Sequence, residues 1–368
     1  MASDAAAPPP VTATQAPHIA LLLPVNSKLF GKHAAALRNG FQAAAKTREQ
    51  QQLPVREYAV SEEVGNVLEA YRKAVGSGAQ VVVGPLTRDA VTALAFGEPV
   101  PVPTLALNIA DNVGRIPGNL YMLSLQVEAE ARQVARLAWR EGRRNAVIIS
   151  GNGPAQLRMQ VAFASEFSML GGKVTKAEYS AAPEKLSLIG RRSIALTESE
   201  KPNTAPRGGG NRPEPVQLTI ARSSEDMYFL ALGYAEARTA RSYLGAAPVY
   251  ATSSVHVGDS GPLAGFDLAG VTFVDIPWLL EPQHPAVMIY PRPQPHDTID
   301  LDRLYALGID AWRVAQLLLA GVRDIRLDGV TGTLTLGPDG QFERGLVAAR
   351  YIDGRPQVTG QDARESAR

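Results

Sequence analysis

Cysteine is absent from all 368 residues of the sequence. This absence excludes disulfide bonds, thiolate metal ligands and cysteine nucleophiles together. The sequence also has no excess of one charge, since 37 basic and 36 acidic side chains leave a formal net charge of +1. Proteins that hold a nucleic-acid backbone or an anionic membrane electrostatically carry an excess of positive charge. We therefore expect no nucleic-acid partner.

Long apolar runs are missing as well. A membrane-spanning helix needs roughly 18 or more consecutive apolar residues, and the nearest candidate covers only residues 19–24. Residues 1–16 are rich in Ala, Pro and Thr and lack the basic start and apolar core of a signal peptide. We interpret them as a flexible leader, and we expect that a targeting segment has been cut from a longer precursor.

Catalytic and metal-binding motifs are also lacking. The five histidines are scattered, without the spacing of a metal-binding helix. There is no G-x-S-x-G nucleophile elbow and no phosphate-binding loop. The segment GDSGP at 258–262 resembles the serine motif of trypsin-like proteases, but those are antiparallel β-barrels. The sequence therefore predicts no enzyme activity, no metal and no cofactor.

What the sequence does contain is a regular alternation of apolar strands and amphipathic helices. The first strand, at 18–24, is continuously apolar, which is typical of a parallel strand covered on both faces. The alternation restarts after residue 123, so two βαβ series follow one another. The pattern predicts an α/β fold with two Rossmann-like lobes, parallel sheets and an interlobe cleft, as in type I periplasmic binding proteins.

The alternation also sets the expected domain boundaries. A Pro- and Gly-rich window at 198–217 has no helical or strand period and predicts a mobile insertion. The expected arrangement is a leader at 1–16, lobe 1 at 17–123 and 280–325, lobe 2 at 124–279 and 326–358, and a disordered tail at 359–368.

Polar side chains follow several predicted strands. Hydroxyls and amides fix a small polar ligand by hydrogen bonds without reacting with it. The same residue types also cap helices and end strands, so each alone is as well explained by local structure. Trp278 could equally line a cleft or anchor a core. The candidate ligand-binding residues are Asn26, Ser27, Thr87, Asn108, Ser150, Asn152, Ser253, Ser254 and Trp278.

A row of arginines forms a second candidate surface. It comprises Arg132, Arg136, Arg140, Arg143 and Arg144, on one predicted helix and just after it. Such a row could dock an acidic partner, although a solvated helix face is the commoner explanation.

Three distinctive segments occur in order in the second half: DIPWLL at 275–280, LYALGIDA at 304–311 and LDGVTGTL at 327–334. Weaker segments lie at 19–24, 38–44, 83–86, 103–108 and 249–253. Over about residues 18 to 356, the chain resembles the penicillin-binding-protein activator lipoproteins of Gram-negative bacteria, the LppC-like family. Fuller members carry a lipidated cysteine and an N-terminal helical-repeat domain, which are not in this sequence.

The resemblance implies a non-enzymatic regulator that activates a class A penicillin-binding protein, a bifunctional peptidoglycan synthase, by protein contact. It also implies a periplasmic location, with outer-membrane anchoring through a lipid that this chain does not carry. A cleft ligand could modulate the contact. The alternative is a periplasmic solute-binding receptor for an amino acid or a cell-wall fragment, and the sequence leaves both open.

Overall fold

The computed structural model describes residues 16–47, 53–97, 99–111, 114–181, 226–258, 265–293 and 297–359. The chain forms two compact units: unit 1 comprises 1–125, 304–327 and 335–343, and unit 2 comprises 126–303, 328–334 and 344–368. The predicted insertion at 198–217 lies outside the described residues, as do the predicted leader and tail except for residues 16 and 359.

Unit 1 is built on a five-stranded sheet in which all four strand pairs are parallel. The first strand is buried along its whole length, as expected for an apolar strand covered on both faces. The strand order is β2-β1-β3-β4-β5. The strands are β1 His18–Leu23, β2 Val55–Ala59, β3 Ala79–Val83, β4 Thr104–Ala106 and β5 Leu120–Met122, and the helices between them are α1 Gly31–Lys46, α2 Val64–Gly76 and α3 Arg88–Gly97.

Unit 2 contains a seven-stranded sheet of order β15-β14-β10-β9-β8-β6-β7. Its helices are α4 Val127–Arg140, α5 Pro154–Met169, α6 Tyr234–Arg241, α7 Pro277–Leu280 and α8 Pro285–Met288. Its strands are β6 Asn145–Ser150, β7 Lys173–Glu178, β8 Asp226–Ala231, β9 Val249–Ala251, β10 Val271–Asp275, β14 Val347–Ile352 and β15 Arg355–Val358.

The α/β class with parallel sheets is confirmed, and unit 2 adds two antiparallel strands to it. Strands β6 to β10 pair in parallel, whereas β14 is antiparallel to β10 and β15 is antiparallel to β14. A tight turn between β14 and β15, with positive φ at Asp353 and Gly354, reverses the chain. The hairpin depends on these turn residues, and the alternation of strands and helices alone does not predict its two antiparallel strands.

The long helix α9 Ile299–Leu319 is followed by a three-stranded sheet of β11 Arg326–Gly329, β12 Gly332–Leu336 and β13 Phe342–Gly345. The sequence predicts a hairpin over 329–342 with its turn at 338–340. Strands β12 and β13 are neighbours, and Gly340 in their connection has a φ of 76°.

The boundary between the units differs from the predicted one. The sequence places residues 280–303 in lobe 1, whereas they belong to unit 2. This segment is attached to unit 2 because Arg292 donates to the carbonyl of Trp278, and the Trp278 N–H donates in turn to Val330. The chain leaves unit 2 inside α9, after Arg303, rather than at the proline-rich stretch before it.

Within unit 1, α9 packs against α1 at very short range. A Cβ on Gly40 would lie 1.8 Å from the carbonyl oxygen of Tyr305, and a Cβ on Gly308 would lie 2.0 Å from that of Leu37. Glycine at both positions therefore allows the two helix backbones to touch. An edge-on contact between Phe41 and Trp312, with ring centroids 5.1 Å apart, fills the space beside them.

Candidate functional site

A cluster of buried charged side chains lies at the carboxyl end of the seven-stranded sheet of unit 2. Strand β10 ends at Asp275, and a short 3-10 turn over Ser253–Val255 follows β9. Three further segments add charged side chains: the first turn of α4, the first turns of α9, and β13. The resulting buried charge cluster comprises Glu130, His256, Asp275, Arg303 and Arg344, all at most 8% exposed.

Arg303 lies at the centre of this cluster. Its Nε donates to Asp275 Oδ1 at 3.1 Å and its Nη2 to Asp275 Oδ2 at 2.6 Å, which makes a bidentate ion pair. The same Nη2 also contacts the carbonyls of Ser253 and His256, each at 3.1 Å. Its Nη1 donates to Asp300 at 2.5 Å. One guanidinium thus joins α9 to the ends of two strands.

The Asp275 carboxylate is held in its charged form. Burial by itself raises the pKa of a carboxyl group, but the charge of Arg303 and a hydrogen bond with His256 outweigh it and lower the pKa of Asp275 to about 2. His256 Nδ1 lies 2.7 Å from Asp275 Oδ2, and the backbone N–H of Ile276 donates to Oδ1 at 2.8 Å. Asp275 is therefore a fixed anion at neutral pH.

Glu130 is the second wholly buried carboxyl group of the cluster, and its setting is different. It accepts a hydrogen bond from the N–H of Ser253 at 3.1 Å, but its nearest cation, Arg344, is 3.8 Å away. Arg344 also donates to the carbonyl of Thr331. Burial raises the pKa of Glu130 and is only partly opposed by Arg344. This carboxyl therefore takes up a proton more readily than an exposed glutamate.

These contacts describe a fixed cluster whose groups bond to one another. The His256–Asp275 pair resembles the base and orienting acid of a serine hydrolase. Among the described residues, however, no serine hydroxyl hydrogen-bonds to the second nitrogen of that ring. The nearby Ser254 hydroxyl donates instead to the carbonyl of Leu232 at 2.7 Å.

Within the described parts of the chain, no group of three or more His, Asp or Glu side chains could hold a metal ion.

In unit 1, the sequence-predicted ligand residues follow adjacent strands, and three of them, Ser27, Thr87 and Asn108, make local hydrogen bonds. Asn26 is exposed, and Ser27 is buried. The Ser27 hydroxyl accepts from the N–H groups of Leu29 and Phe30 at 3.1 and 3.0 Å, which closes the loop before α1. The carbonyl of Thr87 accepts the first bond of α3. Asn108 donates to Leu86 O and accepts from Ile109 N.

In unit 2, the predicted residues are likewise engaged. Ser150 donates to the carbonyl of Gly151, and Asn152 donates to Glu178. Ser253 contributes its backbone to the charge cluster, and Ser254 caps the end of β8. Trp278 is 1% exposed, and the guanidinium of Arg292 lies 3.9 Å from its ring centroid. The nine residues fall into two sets, one in each unit. Ligand binding, and a cleft to hold the ligand, stay predictions.

Sequence reasoning missed the acids and arginines of the charge cluster, although two of them left a signal. Glu130 lies four residues before Val134 and therefore falls on the buried stripe of α4. Asp275 ends a strand whose five residues are all buried. A charged residue on a predicted apolar face indicates a buried ion pair. Arg303 and Arg344 are recognised only from the structure, which brings them to Asp275 and Glu130 from distant segments.

Comparison with known proteins now identifies the family. Residues 10–354 match the family described as "LppC putative lipoprotein". The chain belongs to the LppC family. The penicillin-binding protein activator LpoA of Edwardsiella piscicida is 31% identical over 296 residues, covering 76% of this chain and 42% of that protein. LppC family membership confirms the resemblance found in the sequence, and the chain spans under half the length of the curated relatives it matches.

Solved structures resemble this chain over nearly its whole length. The LpoA C-domain from Haemophilus influenzae, named as a regulator of PBP1A, has a TM-score of 0.69 at 21% identity and covers 93% of this chain and 100% of that one. A protein from Chromobacterium violaceum, named a "putative branched-chain amino acid ABC transporter", has a TM-score of 0.72 at 37% identity, with coverage of 90% and 99%. The LpoA C-domain supports the binding-protein-like fold. The second structure is similar in sequence as well.

Crossing a bilayer requires a helix that is both long and apolar, and no helix in the described ranges meets both requirements.

Proposed function

We propose that this chain is a non-enzymatic envelope regulator that activates a class A penicillin-binding protein, a bifunctional peptidoglycan synthase, by protein contact. The observation that carries the proposal is the match to penicillin-binding protein activators over 76% of the chain. The geometry supports it, because five of the nine predicted ligand side chains bond within their own units, namely Ser27, Asn108, Ser150, Asn152 and Ser254. Periplasmic location and outer-membrane anchoring of the full-length precursor are part of the same proposal.

The test is reconstitution with the cognate class A synthase and its lipid-linked disaccharide-peptide substrate. We expect the chain to bind the synthase and to raise the rate of glycan polymerisation or of peptide cross-linking. A monofunctional transpeptidase is the matched control, and we expect it to be neither bound nor stimulated. The absence of both binding and stimulation at micromolar protein would contradict the proposal.

A second function has one specific observation in its favour. The 37% identical structure from Chromobacterium violaceum, which the chain covers almost completely, is named as a transporter of branched-chain amino acids. A solute-binding receptor for an amino acid or a cell-wall fragment is therefore the competing proposal. A ligand held at 100 times its dissociation constant adds about 2.7 kcal/mol to stability. Thermal unfolding with leucine, isoleucine, valine and a set of muropeptides tests it, and unchanged melting temperatures would rule against it.

A further inference from the structure

Helix α5 is apolar on two sides. Its inner side buries Met159, Ala162, Phe163 and Phe167. Its outer side carries a row with a spacing of four residues, Leu157, Val161, Ser165 and Met169, and all four are exposed. The three apolar members are 44%, 60% and 74% exposed. Rows of this spacing form the ridges through which helices pack, so α5 presents an apolar ridge that the described parts of the chain leave exposed.

Helix α4 lies beside this ridge and runs in the same direction. Glu128 pairs with Arg158 at 2.9 Å and Arg136 pairs with Glu166 at 3.0 Å. Both pairs join residues that are thirty positions apart in sequence, as expected for two parallel helices in register. The outer row of α4 is Glu128, Arg132, Arg136 and Arg140, again with a spacing of four. Two ridges therefore lie side by side, and together we call them the α4–α5 face.

The charges of this face do not balance. Within this face, Arg136 is neutralised by Glu166 and Glu128 is neutralised by Arg158. Arg132 and Arg140 make no ion pair with another described residue, so two positive charges border the apolar ridge. The last two arginines of the row found in the sequence contact other side chains of unit 2. Arg144 stacks on Trp139, and Arg143 contacts the hydroxyl of Tyr250. An exposed apolar ridge whose basic border no described residue neutralises complements an apolar surface with an acidic border.

We propose that the α4–α5 face docks an acid-bordered apolar surface of the partner protein, the class A synthase. This inference rests on the proposed function. Two other occupants fit less well. A second copy of the chain, related by a two-fold axis, would bring like-charged arginines together. An anionic membrane draws on an excess of positive charge, whereas the chain as a whole carries only +1.

The test is synthase binding by two variants of the full chain, V161E and R132E/R140E. Both change exposed or half-buried positions, so we expect unchanged melting temperatures. We expect V161E to weaken binding at least tenfold, because it places an anion on the apolar ridge. The charge reversal should weaken binding at least tenfold at low salt, with a smaller effect at high salt. The matched controls are M288E and R326E, at exposed positions elsewhere, and these should bind like the wild type.

The outcomes separate the surface from the function. Wild-type affinity in V161E and R132E/R140E would overturn the docking surface and leave the proposed function standing. No binding by the wild type would overturn the proposed function and the surface with it. Two further experiments measure binding of the chain to vesicles of phosphatidylglycerol and self-association of the chain alone by sedimentation. Loss of vesicle binding or of self-association in the variants, with synthase binding unchanged, would assign the face to a membrane or to a second copy and overturn the proposal.

Discussion

The two units hold their parts of α9 by different physical means. In unit 1, the helix lies against α1 through Gly40 and Gly308, and the contact consists of backbone and ring packing. In unit 2, the first turns of the same helix are held by the bidentate pair between Arg303 and Asp275. A packing contact responds to added volume, whereas an ionic contact responds to removed charge. The comparison therefore predicts which kind of substitution each unit tolerates.

The largest effect is expected from Asp275→Asn. The change removes the buried counter-ion of Arg303 and leaves only the exposed carboxylate of Asp300 beside it, which costs about 3–5 kcal/mol. The matched control is Asp267→Asn, which removes an exposed ion pair with Arg238 and should cost less than about 1 kcal/mol. Urea unfolding followed by tryptophan fluorescence measures both. Similar small losses in the two variants would break the comparison, because they would mean that unit 2 does not depend on the buried pair.

Gly308→Ala is expected to have the next largest effect, and it acts on unit 1. The added Cβ would lie 2.0 Å from a backbone oxygen of α1, so the helices must separate, at a cost of about 1–3 kcal/mol. Gly65→Ala on α2 is the control, because no heavy atom lies within 4 Å of that Cβ position. We expect the control to stabilise the chain by up to about 1 kcal/mol through helix propensity. Equal unfolding midpoints in the two variants would disprove the close packing.

The smallest effect is expected from Glu130→Gln, and it sharpens the comparison between two wholly buried carboxyl groups. The raised pKa of Glu130 means that its contribution to stability is fully present below its unfolded pKa and is lost as the pH rises through the folded value. Asp275 has the opposite sign, since its contribution is present above its unfolded pKa and is lost only as the pH falls through about 2.

The amide in Glu130→Gln keeps an acceptor for Ser253 and has no charge to bury. We expect its stability to stay within about 1.5 kcal/mol of the wild type. Relative to the wild type, the variant should gain stability as the pH rises above the unfolded pKa of Glu130, as judged by urea midpoints across a pH series. A loss as large as that of Asp275→Asn, at every pH, would mean that the Glu130 charge is needed.

Much of the fold could be predicted from the sequence because the signals are local. The continuous apolar strand at 18–23, the alternation of strands and helices, and the turn at Gly340 each depend on neighbouring residues. The family segments at 275–280 and 304–311 could also be recognised. The unit boundary inside α9 was missed, because a helix shows no break in its periodicity where its contacts pass from one unit to the other.

The sequence by itself therefore determined the α/β class, the lack of cysteine chemistry and the family, since these follow from composition, periodicity and ordered motifs. Only the tertiary structure decided the roles of individual side chains. It paired Arg303 with Asp275 across 28 residues. It also bonded the Ser254 hydroxyl to the carbonyl of Leu232 and left the outer ridge of α5 exposed. The physical reason is that hydrogen bonds and ion pairs form between groups brought together by folding, and spacing along the chain does not encode such long-range pairing.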